Sequence, residues 1–241
     1  MIEYAVIIIS VILTAIFNPL FIRQQRKGIS LKSLALKMLG ASCFVAAGAA
    51  AYCIAGKNSF STAMLWGLVF SWFGDLFLHI KGKIGEKCFV VGVLSFFAAH
   101  VMYIYAINGK QRQLFPDKPF IGPIGVIVIL ALLVLYVLLL FVVLKIKPSV
   151  LMLGLLPYAL ILALMLIKAT ALAIPAARAQ SVAPIGSALL IFGGLMFFLS
   201  DTSLGVLIFS KKHSNIVSLK AYNMTTYFAG QLALAMSIMY F

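Results

Sequence analysis

The run Ser61–Ile80, STAMLWGLVFSWFGDLFLHI, decides the fold. It is apolar almost throughout and holds one carboxylate, Asp75. At about 1.5 Å per residue a helix of this length reaches about 30 Å, the thickness of a bilayer's hydrocarbon core. A barrel strand would alternate polar and apolar residues instead. Working outward, runs of the same texture predict helices at about 2–22, 34–56, 60–80, 88–107, 120–144, 149–174, 183–209 and 217–240. The connections between them are short, so neighbours should run antiparallel in one bundle. The expected architecture is therefore an all-α integral membrane protein, residues 1–241 forming a single transmembrane domain.

Composition agrees. Of 241 residues, 64% are hydrophobic and 10% charged, and the mean hydropathy is +1.14. Soluble domains are near half apolar and a quarter charged. A soluble globular domain, a disordered chain and a nucleic-acid-binding domain are all excluded. The charge is lopsided, with 19 Lys+Arg against 5 Asp+Glu. The connections 1–2, 3–4, 5–6 and 7–8, with their flanks, carry Arg23, Arg26, Lys27, Lys32, Lys37, Lys81, Lys83, Lys87, Lys145, Lys147, Lys211, Lys212 and Lys220. The other side carries Lys57, Lys110, Arg112, Lys118, Lys168 and Arg178. Basic loops stay in the cytoplasm, so both termini are expected outside. Glu3 opens the first helix and no small-residue cleavage site follows, so that helix is expected to be retained. A bacterial inner membrane is the expected location. Cys43, Cys53 and Cys88 form no CxxC and read as small packing residues.

The five acids are more telling than the nineteen cations. Glu3, Glu86 and Asp117 lie at the amino terminus or in connections. Asp75 and Asp201 lie inside apolar runs, where a charge costs roughly 2.5–3.5 kcal/mol on insertion scales. Their surroundings echo each other: Gly67-x6-Gly74-Asp75-x2-Leu78 against Gly193-x6-Ser200-Asp201-x2-Leu204, with Phe97-Ala98-Ala99-His100 against Phe228-Ala229-Gly230-Gln231 further on. Helices 3–4 and 7–8 read as a possible parallel repeat. Small residues around both aspartates let backbones approach, which would bring helices 3 and 7 together.

Other helices add polar side chains. Counting from the nearest basic loop residue, Asp75, Asn18 and Lys37 lie about 8–9 Å inside, and Asp201, Tyr136, Tyr158, His100 and Gln231 about 14–20 Å. A single cavity in the cytoplasmic half would explain that convergence. His79, four residues after Asp75, could partner that carboxylate. The three histidines show no HxxxH or HExxH spacing, so neither a metal nor another cofactor is expected.

These residues resemble the YhhN family of eight-span membrane proteins, which includes lysoplasmalogenases. The resemblance is carried by Gly74-Asp75-x2-Leu78, Phe97-x2-His100-x2-Tyr103, Tyr158, Ser200-Asp201-x2-Leu204 and Tyr227-x3-Gln231, in that order over nearly the whole chain. The chain departs from the family where Lys37 is followed by Met38 rather than proline, and where Leu204 is followed by Gly205 rather than alanine.

The resemblance implies a hydrolase that cleaves the vinyl ether bond of a lysoplasmalogen with a choline or ethanolamine head. Its products are a fatty aldehyde and a glycerophospho-headgroup. Such a reaction starts with a proton delivered to carbon, continues with water adding to an oxocarbenium-like cation, and ends as the hemiacetal collapses. An acid and a carboxylate side by side supply what it needs, as in glycosidases. Asp75 and Asp201 are the candidate catalytic pair, and either can serve as the acid. Lys37 is the candidate for the lipid phosphate. His100, Tyr158, Gln231, Asn18, Tyr103 and Tyr227 are candidates to position substrate or water. The expected partners are a lysophospholipid substrate and membrane lipids, with no nucleic acid; no oligomeric state is read from the chain.

Two rivals share some of these features. A proton-coupled transporter or lipid-binding protein would also hold membrane carboxylates. An intramembrane aspartyl protease would need Gly-x-Gly-Asp, and the chain has Trp72-Phe73-Gly74-Asp75.

Overall fold

A computed structural model describes residues 1–26, 28–146, 156–210 and 212–241. Among the described residues there is no strand. Eight long helices follow one another: α1 (Ile2–Gln25), α2 (Leu31–Ile54), α3 (Ser59–Ile84), α4 (Glu86–Leu114), α5 (Pro123–Leu138), α6 (Leu156–Arg178), α7 (Pro184–Phe209) and α8 (Val217–Ser237). Residues 147–155, where the expected sixth span begins, lie outside the described residues. So do Lys27 and Lys211 and the side chains of Lys81, Lys83 and Glu86.

Seven of the helices, α1 to α7, are long and apolar enough to cross a membrane, and the protein is an integral membrane protein. Helix α8 falls short because Lys220, Asn223, Thr225, Thr226 and Gln231 interrupt it. Its place explains the composition. It packs against α7, α2, α1 and α3, and Asn223, Thr226, Tyr227 and Gln231 are buried. A helix shielded from lipid can carry polar groups that find partners inside the protein. Helix α5 is the opposite case. It packs on α6, and most of its valine and leucine side chains are exposed to the membrane.

Local chemistry sets the ends. Ser30 caps α2: its Oγ accepts from the Ser33 amide at 3.1 Å, and Ser33 Oγ accepts from the Ser30 amide at 2.9 Å. Helices α5 and α7 open with Pro123 and Pro184 in the first turn, where no amide donor is needed. Helix α4 runs to Leu114, past the end expected at about 107, because Asn108 and Gln111 are held from within, as described below. After Leu138 the α5 helix widens into a π segment, Leu139–Val143, in which the Leu144 amide donates to the Leu139 carbonyl at 2.9 Å.

The glycines flanking the aspartates serve different neighbours from those expected. A side chain at Gly74 would meet the Phe96 ring of α4, and one at Gly193 would meet Leu234 of α8. The small residues therefore tighten α3 onto α4 and α7 onto α8, two of the closest pairs in the bundle, rather than α3 onto α7. Of the cysteines, Cys43 is buried, whereas Cys53 is exposed and does not pack inside.

Candidate active site in two adjoining cavities

Lys37 of α2 points into the bundle and meets Asp75 of α3. Its Nζ lies 2.9 Å from Asp75 Oδ1, and both side chains are buried. The same ammonium donates to the Asp75 carbonyl at 3.4 Å. Tyr227 of α8 donates to the other carboxylate oxygen, Oδ2, at 2.6 Å. Both Asp75 oxygens thus have partners. Lys37, expected near the rim for a lipid phosphate, is buried and ion-paired.

Asp201 of α7 is held differently. Tyr158 of α6 donates a very short hydrogen bond to its Oδ2. Among the described residues its Oδ1 has no hydrogen bond and no cation lies within ion-pair distance. Beside it Ser200 and Asn223 tie α7 to α8: the Asn223 amide donates to the Ser200 carbonyl at 2.7 Å, and Ser200 Oγ donates to the Asn223 carbonyl at 3.2 Å.

Two cavities meet at this point. One, of about 370 Å³, is the more polar of the two and is lined by Lys37, Asp75, Asp201, Asn223 and Tyr227, with Gln25 and Lys220 further out. The other, of about 300 Å³, is lined by apolar residues of α3 to α7 together with Tyr136, Tyr158 and Asp201. Leu78, Phe96, Asp201, Leu204 and Ile208 line both. Among the described residues Asp201 is the only ionisable one of the shared boundary, and both aspartates face the polar side. The residues that reach furthest out, Gln25, Phe89, Leu140, Leu156, Phe209 and Ser214, sit at helix ends next to connections 1–2, 3–4, 5–6 and 7–8. The cavities therefore extend toward the basic end of the bundle.

The expected polar layer divides in two. His100, Tyr103 and Gln231 are fully buried and line neither cavity. Tyr103 donates to Gln231 Oε1 at 2.9 Å, and His100 Nδ1 donates to the Phe96 carbonyl at 2.7 Å. Aromatic rings lie between this group and the cavities, and one of them, Tyr158, lines the apolar cavity and meets the His100 ring at 5.7 Å. The Phe197 ring stacks 4.5 Å from His100 and meets the rings of Phe96 at 6.2 Å and Tyr227 at 5.7 Å. Asn18 stands apart as well. It donates to Thr225 Oγ1 at 3.5 Å and lines a separate groove with Pro19 and Arg23. His79, by contrast, lines the polar cavity; it hydrogen-bonds Ser33 of the α2 cap at 3.0 Å and packs on Phe21.

Three features escaped the reading of the sequence. Asn223, which lines the polar cavity, precedes Tyr227 by four residues and Gln231 by eight, so helical spacing alone could have flagged it. The Phe96 and Phe197 partition looks like ordinary apolar sequence. Lys168, counted with the outer loop charges, is fully buried instead. Its Nζ donates to Gln111 Oε1 at 2.7 Å, the Phe120 carbonyl at 2.9 Å and Asn108 Oδ1 at 3.0 Å. Among the described residues no group of three His, Cys, Asp or Glu is placed to hold a metal.

The profile of the YhhN family matches residues 32–238. No curated protein and no solved structure matches the chain.

Proposed function

This chain belongs to the YhhN family, and on that premise we propose that it is a lysoplasmalogenase-like hydrolase of vinyl ether lipids. One observation carries the reading: a polar and an apolar cavity adjoin at a buried carboxyl group. An amphiphile with its head in the polar cavity and its alkenyl chain in the apolar one would set the bond between them beside Asp201.

The two aspartates then divide the work. Asp201 is the acid, because among the described residues it has no ion-pair partner, whereas Asp75 has Lys37, and a bare charge in such surroundings is costly. It delivers its proton to the alkenyl carbon, and Tyr158 fixes the carboxyl by holding Oδ2. The cation that forms is stabilised by Asp75, which Lys37 keeps as a carboxylate. Water adds to the cation and gives its proton to a carboxylate of the pair. The hemiacetal then breaks into an aldehyde and a free glycerol hydroxyl. One water is consumed and the pair regains its starting protons. The basic end is assigned to the cytoplasm, so head and water enter from that side.

The test is aldehyde release from lysoplasmenyl lipid by detergent-purified protein. Asp201→Asn should lower the rate by about 10²–10⁴-fold, the usual scale of an acid–base contribution. An unchanged rate in both Asp201→Asn and Asp75→Asn would remove the pair from the mechanism.

A further inference from the structure

We infer that Lys220 binds a phosphate anion carried on the head of the amphiphile, and that it selects phosphorylated ether lipids over neutral ones. This rests on the hydrolase reading above for its substrate, but its geometry is separate. Lys220 lines the polar cavity with Lys37 and Asp75. Lys37 is taken up by Asp75 at 2.9 Å, so its charge is already matched. The Asn223 amide is spent on Ser200 and Ser203. Lys220 is half-buried, and among the described residues its ammonium makes one hydrogen bond, a long one of 3.5 Å to Asn215. Among the described residues no carboxylate lies within ion-pair distance of it, and Asp75 and Asp201 are the only acids lining the cavity. Among the described lysines and arginines lining the cavity, Lys220 is thus the one without a carboxylate partner.

Its position suits the head of a glycerolipid. Lys220 lies two turns before Tyr227 on α8, about 10 Å along the axis toward the basic end. Tyr227 holds Asp75 and so marks the level of the reacting carboxyl groups. A glycerol unit and an extended lysine side chain together bridge that interval. A phosphate placed there would sit at the mouth while the ether bond lies beside Asp201. A charge-assisted contact between ammonium and phosphate at a partly buried site is worth about 10–100-fold in affinity.

The test compares two substrates in maltoside detergent: 1-alkenyl-glycerophosphocholine and phosphate-free 1-alkenylglycerol. Lys220→Met should raise KM for the first by about 10–100-fold, leave its kcat in place, and leave the second substrate unaffected. Lys220→Arg should keep most of the selectivity. Equal losses on both substrates, or no change on either, would overturn the assignment. A binding arm uses the uncleavable 1-alkyl-glycerophosphocholine and 1-alkylglycerol in calorimetry. If the phospholipid binds in a Lys220-dependent way but no aldehyde appears from any substrate, the anion site stands and the hydrolase reading falls. If aldehyde is released and Lys220→Met discriminates no less than wild type, the hydrolase reading stands and Lys220 falls. Inorganic phosphate is titrated alone. Should it bind as tightly as the alkyl phospholipid, the lipid-head assignment is wrong and free phosphate is the ligand.

Discussion

Lys37 Nζ and Asp75 Oδ1 are 2.9 Å apart, and their side chains are only 8% and 2% exposed. An ion pair this buried is safe only while it is complete. Removing one member strands the other charge and costs about 3–5 kcal/mol in soluble proteins. Lys37→Met and Asp75→Leu should each lower the melting temperature in detergent markedly. The double variant should regain much of that stability, because two apolar side chains replace two matched charges, yet it should release no aldehyde. A double variant less stable than either single one would contradict the pairing.

Tyr158 and Tyr227 make a controlled comparison, since each donates one hydroxyl to one aspartate. Asp75 keeps Lys37 when Tyr227 loses its hydroxyl. Asp201 has no other hydrogen-bond partner among the described residues. Tyr158→Phe should therefore cut kcat by about 10–100-fold, the worth of a hydrogen bond to a carboxyl group, and Tyr227→Phe by less than about tenfold. Steady-state aldehyde kinetics on the two variants decides the matter. If Tyr227→Phe is the worse of the two, Asp75 rather than Asp201 is the group that needs fixing as the acid.

Gly74 touches the site through Phe96. A Cβ at position 74 would lie 2.6 Å from the Phe96 ring, closer than packed carbon atoms allow. That ring lines both cavities. Gly74→Ala must push it toward the boundary beside Asp201, with a stability loss of about 1–3 kcal/mol from overpacking. Phe96→Leu in the same chain makes room again. The pair should be non-additive, with the double variant closer to wild type in melting and in aldehyde release than Gly74→Ala alone. Additive losses would show that Phe96 is not what the glycine accommodates.

The two aspartates were legible because a carboxylate in an apolar run has few reasons to be there. Their partners were not legible as partners. Tyr227 bonds Asp75 across 152 residues of chain and Tyr158 bonds Asp201 across 43, and helical periodicity shows a face without naming what it meets. The family resemblance supplied both tyrosines as site residues but assigned them to neither carboxylate. Depth was a weaker guide. His100 and Gln231 lie at a depth similar to Asp201, yet neither lines a cavity, and the His100 ring meets the site through the Tyr158 ring at 5.7 Å; no count of residues from a loop detects an intervening ring. The same limit hid the bond between helices 2 and 3. Lys37 reads as a headgroup ligand when its depth alone is known, and as an ion-pair partner once α2 and α3 are packed.

Lys168 shows what a buried cation does outside the site. It lies in the middle of α6, fully buried, with three oxygen acceptors at 2.7–3.0 Å and the Phe120 ring 4.5 Å from its ammonium. These contacts bind the end of α4 and Phe120, near the end of the following connection, to α6. No carboxylate takes part, so the three acceptors and the ring offset the cost of burial. Lys168→Met removes three charge-assisted bonds and leaves the Gln111 and Asn108 oxygens without their donor. The expected loss is about 2–4 kcal/mol of stability, since each buried acceptor left unsatisfied costs about 1–3 kcal/mol. Arginine would not substitute well, because its planar fork does not match three acceptors gathered round a point. Neither cavity is lined by Lys168, so aldehyde release per folded molecule should stay near wild type below the melting point. Melting curves and activity measured on the same preparation separate the two effects. A large fall in kcat without a fall in melting temperature would place Lys168 in the machinery and not in the scaffold.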